Sequence, residues 1–367
     1  MERDGGKSLV IACGGTGGHL FPGLAVAEEW TARGGRALLL ISEKKIDQEA
    51  AKKYHRYRFE TVPAIGKPAT FSPKMLPFLW KMWRTVGRCA GLLKKFNADA
   101  VLGMGGFTSL PPAWAAKRSG IPAFVHDSNA LPGRANLITA RFCREIFIGL
   151  EPARAHFKNK ETVLTGTPVR DEMRHLPSRE EAAARYGLDP SKPTLLVYGG
   201  SQGARRLNSL VTEAFPLLPP GTQILHAAGP GDVERVAAEA GHFPGYKILG
   251  FCDDMPSAYA VCDAVLCRSG ASSMTELSFL GLPSILIPFP FSADDHQTKN
   301  AEVFASAGAA FMEQEADLNA PKLAILVTRL MSDLQTRERM AQAARSLAVP
   351  DAAARVCDAI EAILTRK

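Results

Sequence analysis

The sequence predicts an α/β protein built from two doubly wound, parallel-sheet domains. Three observations carry the prediction. The chain has 367 residues, more than one ordinary core accommodates and suited to two domains. Short apolar runs rich in Val, Ile and Leu alternate with helix-like stretches, the pattern of buried parallel strands joined by crossover helices. Each half also opens alike, with a strand running into a glycine loop: SLVIACGGTGGH first, TLLVYGGSQGA later. This is a duplication of architecture rather than a short solenoid repeat.

In the first half the strands are read at SLVIACGG, RALLLIS, ADAVLGMGG, PAFVH and EIFIGL. In the second they are read at TLLVYGGSQG, QILHAAG, YKILGF, ADAVLCRSG and PSILIPFP. The join is placed at LTGTPVR, where glycine and proline follow a strand-like run. Near the end Pro350 interrupts the helical pattern, and DAAARVCDAIEAILTRK forms an amphipathic helix expected to cross back to the first domain. The domains are therefore 1–166 plus 350–367, and 167–349.

The hydrophobic fraction of 46% and charged fraction of 22% are those of a globular protein. No apolar stretch approaches the ~18 to 20 residues of a membrane span, and the charged N-terminus argues against a signal peptide. The seven cysteines are scattered and never spaced C-x-x-C. They read as reduced, small core residues in a cytosolic compartment, and a zinc site is not expected.

Four glycine loops end predicted strands: Gly14–Gly18, Gly103–Gly106, Gly199–Gly203 and Ser269–Gly270. The first fits neither G-x-G-x-x-G, which would need glycine at Leu20, nor a Walker loop, because His19-Leu20 stands in place of G-K-[ST]. Side-chain-free residues before a helix still gather backbone N–H groups where an anion is favoured, and Pro22-Gly23-Leu24-Ala25 is read as the start of that helix. In open α/β sheets these strand ends line the ligand crevice. In the second half, Ser-Gly-Ala-Ser-Ser turns into a helix whose N-terminus and hydroxyls suit a diphosphate. Glu276, further along, suits ribose hydroxyls. His296 and Gln297, after two acids, suit a sugar.

The excess positive charge is local. Lys plus Arg is 44 against 37 for Asp plus Glu, a net +7. The acid-free stretch Thr61–Ala98 holds seven basic residues: Lys67, Lys74, Lys81, Arg84, Arg88, Lys94 and Lys95. On a helical wheel Lys74, Lys81, Arg84, Arg88 and Lys95 share one face, while Leu79, Trp80 and Trp83 lie among the apolar positions. Proline at 73 and 77 delays the helix to about Pro77. A core-packed helix with a solvated basic face accounts for most apolar positions. The tryptophans beside Lys and Arg, with no acid, point instead to the surface of an anionic bilayer.

Taken together, GGTGGHLFPGLAVA, GMGGF, HDSNALPG, TGTPVR, GGSQGARRLN, FCDDM, RSGASSMTE and DDHQTKNA, in order over almost the whole chain, resemble the MurG family of N-acetylglucosamine transferases. The resemblance implies a GT-B fold, two Rossmann-like domains facing a cleft, with the UDP-sugar donor in the C-terminal one. It implies transfer of N-acetylglucosamine from UDP, with inversion, to the 4-hydroxyl of undecaprenyl-pyrophosphoryl-N-acetylmuramyl-pentapeptide. No cofactor is implied, and the chain has no D-x-D motif.

By motif, Ser201 reaches the donor phosphates and Arg170 helps neutralise them. The backbone of Cys252 reads the uracil edge. Ala271, Ser272, Ser273, Met274, Thr275 and Glu276 hold diphosphate and ribose, and Gln297 beside His296 contacts the sugar. Asn129 lies near the sugar from the other domain. The opening loop's amides go to the acceptor pyrophosphate, with Thr16, Gly17 and Gly18 near the donor sugar. The general base is His19, whose ordinary pKa near ~6.5 suits the task, or Asp127, where the family more often has Glu. Phe107 stands where the family commonly has Tyr. The implied place is the cytoplasmic side of the inner membrane, held peripherally through anionic lipids. A UDP-N-acetylglucosamine epimerase, a transferase with another glycolipid acceptor, and a basic nucleic-acid-binding protein are the alternatives. The last lacks a recognised motif or aromatic stacking platform.

Overall fold

A computed structural model describes residues 6–15, 17–63, 73, 75–200 and 203–366. Thr16, Ser201, Lys67 and Lys74 lie outside the described residues. The chain divides into two compact units, Met1–Arg170 with Val349–Lys367, and Asp171–Ala348. The first unit thus retains TGTPVR through Arg170. His126 Nε2 donates to Gly166 O at 2.8 Å, and Gly166, at φ +72°, leaves room for the Val349 side chain.

The first unit is a seven-stranded parallel sheet of β1 (Ser8–Ala12), β2 (Arg36–Ile41), β3 (Arg58–Thr61), β4 (Ala100–Gly103), β5 (Ala123–Asp127), β6 (Glu145–Ile148) and β7 (Thr162–Leu164). Their order is β3-β2-β1-β4-β5-β6-β7. Between them run α1 (Gly17–Ala32), α2 (Lys45–Lys53), α3 (Met75–Phe96), α4 (Leu110–Arg118) and α5 (Arg134–Thr139). The second unit contains α6 (Arg179–Tyr186), β8 (Thr194–Tyr198), α7 (Arg205–Ala214), β9 (Gln223–Ala227), α8 (Val233–Ala240), β10 (Tyr246–Leu249), α9 (Met255–Val261), β11 (Ala264–Cys267), α10 (Ala271–Leu280), β12 (Ser284–Leu286), α11 (His296–Ser306), β13 (Ala310–Met312), α12 (Ala320–Ser332) and α13 (Leu334–Ser346). Its six parallel strands run β10-β9-β8-β11-β12-β13. The last helix, α14 (Ala352–Thr365), belongs to the first unit. There Val356, Cys357 and Ile360 join the core of Leu24, Val26 and Trp30, and Arg33 pairs with Asp358 at 2.6 Å.

Strands β1, β4, β5, β8, β9 and β11 are buried along their whole length, as expected of parallel strands covered on both faces. All seven cysteines are free and buried. Two helix starts differ from the sequence reading. α1 begins at Gly17, five residues before Pro22, which sits buried inside the helix. α3 begins at Met75 rather than Pro77, because a proline in a first turn lacks only a donor that has no helical partner there.

Candidate functional site

In each sheet the chain order diverges at one place, between β1 and β4 and between β8 and β11. The four glycine loops follow those four strands. A divergence of this kind opens a crevice at the strand ends, where α/β proteins bind ligands.

In the first unit the opening loop is clamped from two sides. Gly15, at φ +117°, donates to Asp47 Oδ2 at 2.7 Å, and Ser42 N donates to the same oxygen at 2.9 Å. Thr108 Oγ1 donates to Gly14 O at 2.7 Å. Gly17, Gly18 and His19 form the first turn of α1, so His19 stands on a helix, not in a flexible loop. Its ring lies against the second glycine loop. A methyl group built on Gly105 would approach His19 Cδ2 and Nε2 to 2.9 Å, and one on Gly106 would approach Cε1 to 3.0 Å. Both glycines have positive φ, +117° and +70°. The pair Gly105–Gly106 therefore supplies both a backbone conformation and the space that the imidazole occupies. Burial lowers the His19 pKa to about 4, with Asp47 opposing the shift and Lys44 adding to it. At neutral pH the ring is therefore neutral.

Asp127 ends β5 and is 1% exposed. Its Oδ1 accepts from Asn129 N at 2.9 Å and Asn129 Nδ2 at 3.2 Å. Its Oδ2 accepts from Gly133 N at 3.1 Å and Asn136 Nδ2 at 2.7 Å. Burial raises its pKa, opposed by these hydrogen bonds. Both oxygens are engaged, by the loop that carries Asn129 and by the first turn of α5, which is the geometry of a positioning carboxylate. Arg170 lays its guanidinium over the Phe21 ring at 4.1 Å, a cation–π contact that ties the end of the first unit to α1.

In the second unit, Gly200 and Gly203 have φ of +96° and +75°. A side chain on Gly203 would strike the Ala228 carbonyl. The loop leads into α7, whose first turn carries no acid. Beside it α10 starts at Ala271 after an extended Gly270, and its N-terminal N–H groups point at the crevice as anion donors. Ser272 Oγ is buried there without a hydrogen-bond partner among the described residues. Ser273 stands in the same turn. Thr275 Oγ1 bonds back to Ala271 O at 2.8 Å. Met274 is 1% exposed and packs inward, so of this group its side chain is structural. Glu276, half-buried in the second turn, accepts from Tyr259 at 2.8 Å.

His296 and Gln297 open α11. Before them Asp294 and Asp295 both adopt positive φ, 52° and 57°, a strained arrangement for non-glycine residues. Gln297 is fixed at both ends: its Oε1 accepts from Phe289 N at 2.9 Å, and its carbonyl accepts from Ser269 Oγ at 2.8 Å. Arg268 donates to the carbonyls of Ile287 and Pro288 at 3.1 and 3.0 Å and pairs with Glu315. These bonds lock the strand-end loops of the second unit together. Cys252 is buried, its Sγ 3.8 Å from the Tyr186 hydroxyl, while its neighbour Phe251 is exposed.

Residues 9–148 match the N-terminal domain of glycosyltransferase family 28, and residues 194–356 match its C-terminal domain. The chain belongs to glycosyltransferase family 28. Within the family it is similar to the UDP-N-acetylglucosamine–N-acetylmuramyl-(pentapeptide) pyrophosphoryl-undecaprenol N-acetylglucosamine transferase of Geobacter sulfurreducens, with 38% identity over 98% of this chain and 99% of that one. Among solved structures it resembles MurG of Acinetobacter baumannii, with a TM-score of 0.77 and 29% identity, covering 97% of this chain and 99% of that one. A UDP-GlcNAc 2-epimerase from Neisseria meningitidis shares the fold alone, at a TM-score of 0.71 and 14% identity over 96% of this chain and 99% of that one. The architecture is thus GT-B.

The family member's basic helix, α3, is only partly absorbed by the core. Met82, Val86, Cys89 and Leu93 are buried. Leu76, Leu79, Trp80 and Trp83 are exposed, the tryptophans at 59% and 64%, beside exposed Lys81, Arg84 and Arg88. The Arg84 guanidinium covers the Trp80 ring at 4.6 Å. Core packing therefore does not account for these apolar positions. Among the described residues no helix is long and apolar enough to cross a membrane.

Thr108, Asn136, Tyr198, Tyr259, Arg268 and Phe251 escaped the sequence reading of the site. Phe251 and Arg268 each adjoin a motif residue and were legible as such. Asn136 and Tyr259 reach the site only through folding, and no local pattern announces them.

Proposed function

We propose that this family 28 enzyme transfers N-acetylglucosamine from UDP-N-acetylglucosamine to the 4-hydroxyl of the N-acetylmuramyl-pentapeptide carried on undecaprenyl pyrophosphate. The product is the disaccharide-pentapeptide lipid used in peptidoglycan synthesis. The observation that carries the proposal is end-to-end similarity to transferases of that name, 38% identity over 98% of this chain in one case.

The second unit holds the donor. The N-terminal N–H groups of α10, with Ser272 and Ser273, take the diphosphate, and Glu276 accepts from the ribose hydroxyls. The Cys252 backbone reads uracil, with Phe251 offering a ring face. His296 and Gln297 meet the sugar, and Ser201 and Arg170 serve the phosphates. The first unit receives the acceptor: the amides of the opening loop take its pyrophosphate, with Thr16, Gly17, Gly18 and Asn129 toward the sugars.

The reaction is one in-line displacement. The acceptor oxygen forms a bond to the anomeric carbon from the face opposite UDP, and the bond to the phosphate oxygen breaks with inversion, through an oxocarbenium-like transition state. His19 takes the acceptor's proton, since it is neutral at working pH and sits on a rigid turn. UDP leaves with the electron pair, and the helix N-terminus offsets its charge. Asp127 acts by holding Asn129 and its loop.

The lipid acceptor requires approach to a membrane. Leu79, Trp80 and Trp83, with Lys81, Arg84 and Arg88, dock the first unit peripherally on the anionic inner face of the cytoplasmic membrane. The deciding experiment incubates the enzyme with labelled UDP-N-acetylglucosamine and a defined lipid-linked acceptor, with and without a divalent cation. Label appearing in the lipid product only when acceptor is present is the expected result. A changed free sugar formed without acceptor would replace the proposal with epimerase activity.

A further inference from the structure

Helices α3 and α4 pack side by side but leave a groove of about 530 Å³ between them. Its lining includes Trp83, Arg84, Gly87 and Ala90 of α3 and Ala115 and Arg118 of α4. The volume lies in the range of small-molecule sites. Two observations say that the groove is kept open. A methyl group built on Gly87, inside α3, would meet no atom within 4 Å. Glycine inside a helix is less stable than alanine, so no packing within the chain calls for it here. Among the described residues, Arg84 and Arg118 also make no ion pair with a carboxylate. No acidic residue occurs anywhere on α3.

The groove is continuous with the exposed Leu79–Trp80–Trp83 surface of the same helix. An occupant must therefore combine an apolar chain with an anionic head and come from the surface that α3 faces. We infer that the groove holds one acyl chain of an anionic phospholipid, with its phosphate at Arg84 and Arg118 and Trp83 over the glycerol end. This rests on the reading that α3 docks on a bilayer, and deepens it: one lipid is bound in a defined seat, beyond general adsorption. Arginine suits a phosphate through its forked donors, and tryptophan suits the level between chain and head.

A short-chain lipid below its micelle-forming concentration separates the seat from adsorption. Titration calorimetry with monomeric dihexanoyl-phosphatidylglycerol on the full chain is expected to show saturable binding of one molecule. Dihexanoyl-phosphatidylcholine is expected to bind at least about tenfold more weakly, and inorganic phosphate not measurably. Gly87→Leu, which fills the groove, should weaken the short-chain lipid by tenfold or more while leaving binding to phosphatidylglycerol vesicles within about twofold. Gly87→Ala should show a smaller loss together with a higher thermal midpoint, which guards against misfolding of the leucine variant. Arg118→Gln should weaken the lipid as well.

Wild-type protein that ignores the monomeric lipid, or a Gly87→Leu variant that binds it normally, overturns the inference. Farnesyl phosphate binding more tightly than the phosphoglyceride would overturn it too, assigning the groove to the acceptor's prenyl chain. Monomer binding without vesicle binding would sink the docking reading and leave the seat standing. Vesicle binding without monomer binding would do the reverse.

Discussion

The Tyr259 hydroxyl donates to Glu276 Oε2 across 2.8 Å. Its proton is thereby committed, so the Tyr198 hydroxyl, 3.0 Å behind it, must be the donor in the second bond. Both rings are buried and meet edge to face, 71° apart. A carboxylate on the second turn of α10 is thus held from behind by an ordered chain of two phenols. Burial keeps both phenols protonated by raising their pKa values.

Tyr259→Phe removes this brace without altering ring volume. A hydrogen bond to a charged group contributes about 1.5–3 kcal/mol, so KM for the UDP-sugar should rise roughly tenfold or more while kcat changes by less than about twofold. Steady-state kinetics in the Glu276→Gln background provides the control. There the phenylalanine change should add little. Equal losses in both backgrounds would show that the tyrosine acts on something else.

His19 is held neutral by its surroundings, with a pKa of about 4. A base works in its unprotonated form, so kcat/KM should stay flat from neutral pH downward and decline only as pH falls through about 4. A solvated histidine would instead decline near ~6.5. His19→Ala should lower kcat by roughly 10²-fold or more. A near-normal kcat in that variant removes His19 from the proton transfer, and a limb near the ordinary value removes its burial from the account.

Gly105→Ala tests the contact that holds the imidazole. The new methyl would sit 2.9 Å from the ring, on a backbone at φ +117°. Such strained positions cost about 1–3 kcal/mol. The variant should melt lower and lose most of its kcat. Gly120→Ala, with positive φ of +69° and no neighbour within 4 Å, should melt lower too but keep its kcat. Equal kinetic losses in the two variants would mean that backbone strain, not the His19 contact, is responsible.

Replacing Lys81, Arg84 and Arg88 together by Glu reverses three exposed charges on α3. Juxtamembrane basic residues contribute about 1 kcal/mol each toward an anionic surface. Sedimentation with phosphatidylglycerol vesicles should therefore show binding lost at physiological salt, while transfer to a soluble acceptor analogue survives. Undiminished sedimentation would rule out α3 as the docking element.

Much of the fold was legible because buried parallel strands are written as continuous apolar runs. The ten runs read as strands are all strands here, and the three that went unread, β3, β7 and β13, include both edges of one sheet and one edge of the other. These three edge strands are short and mostly only half-buried, so burial does not stamp a pattern on them. The start of α1 was misplaced for a related reason. Glycines before a proline read as loop, yet Gly17 and Gly18 form the first turn of α1, a helix packed so closely on the end of β1 that a methyl on Gly23 would lie 2.5 Å from Cys13 Cβ.

By itself the sequence determined the two-unit α/β architecture, the glycine loops, the family and the residue types at the site, because these rest on local spacing and on side-chain chemistry. Only the tertiary structure decided how those residues are used. It set His19 against Gly105–Gly106, turned Asp127 inward onto four donors from the following loop and α5, sent Met274 into the core, and stood Tyr259 behind Glu276. The placing of His19 depends on groups that approach from a segment distant in sequence, and all of these depend on the burial that folding brings. Burial lowers the imidazole's pKa and raises the carboxylate's, a distinction that no spacing of residues along the chain records.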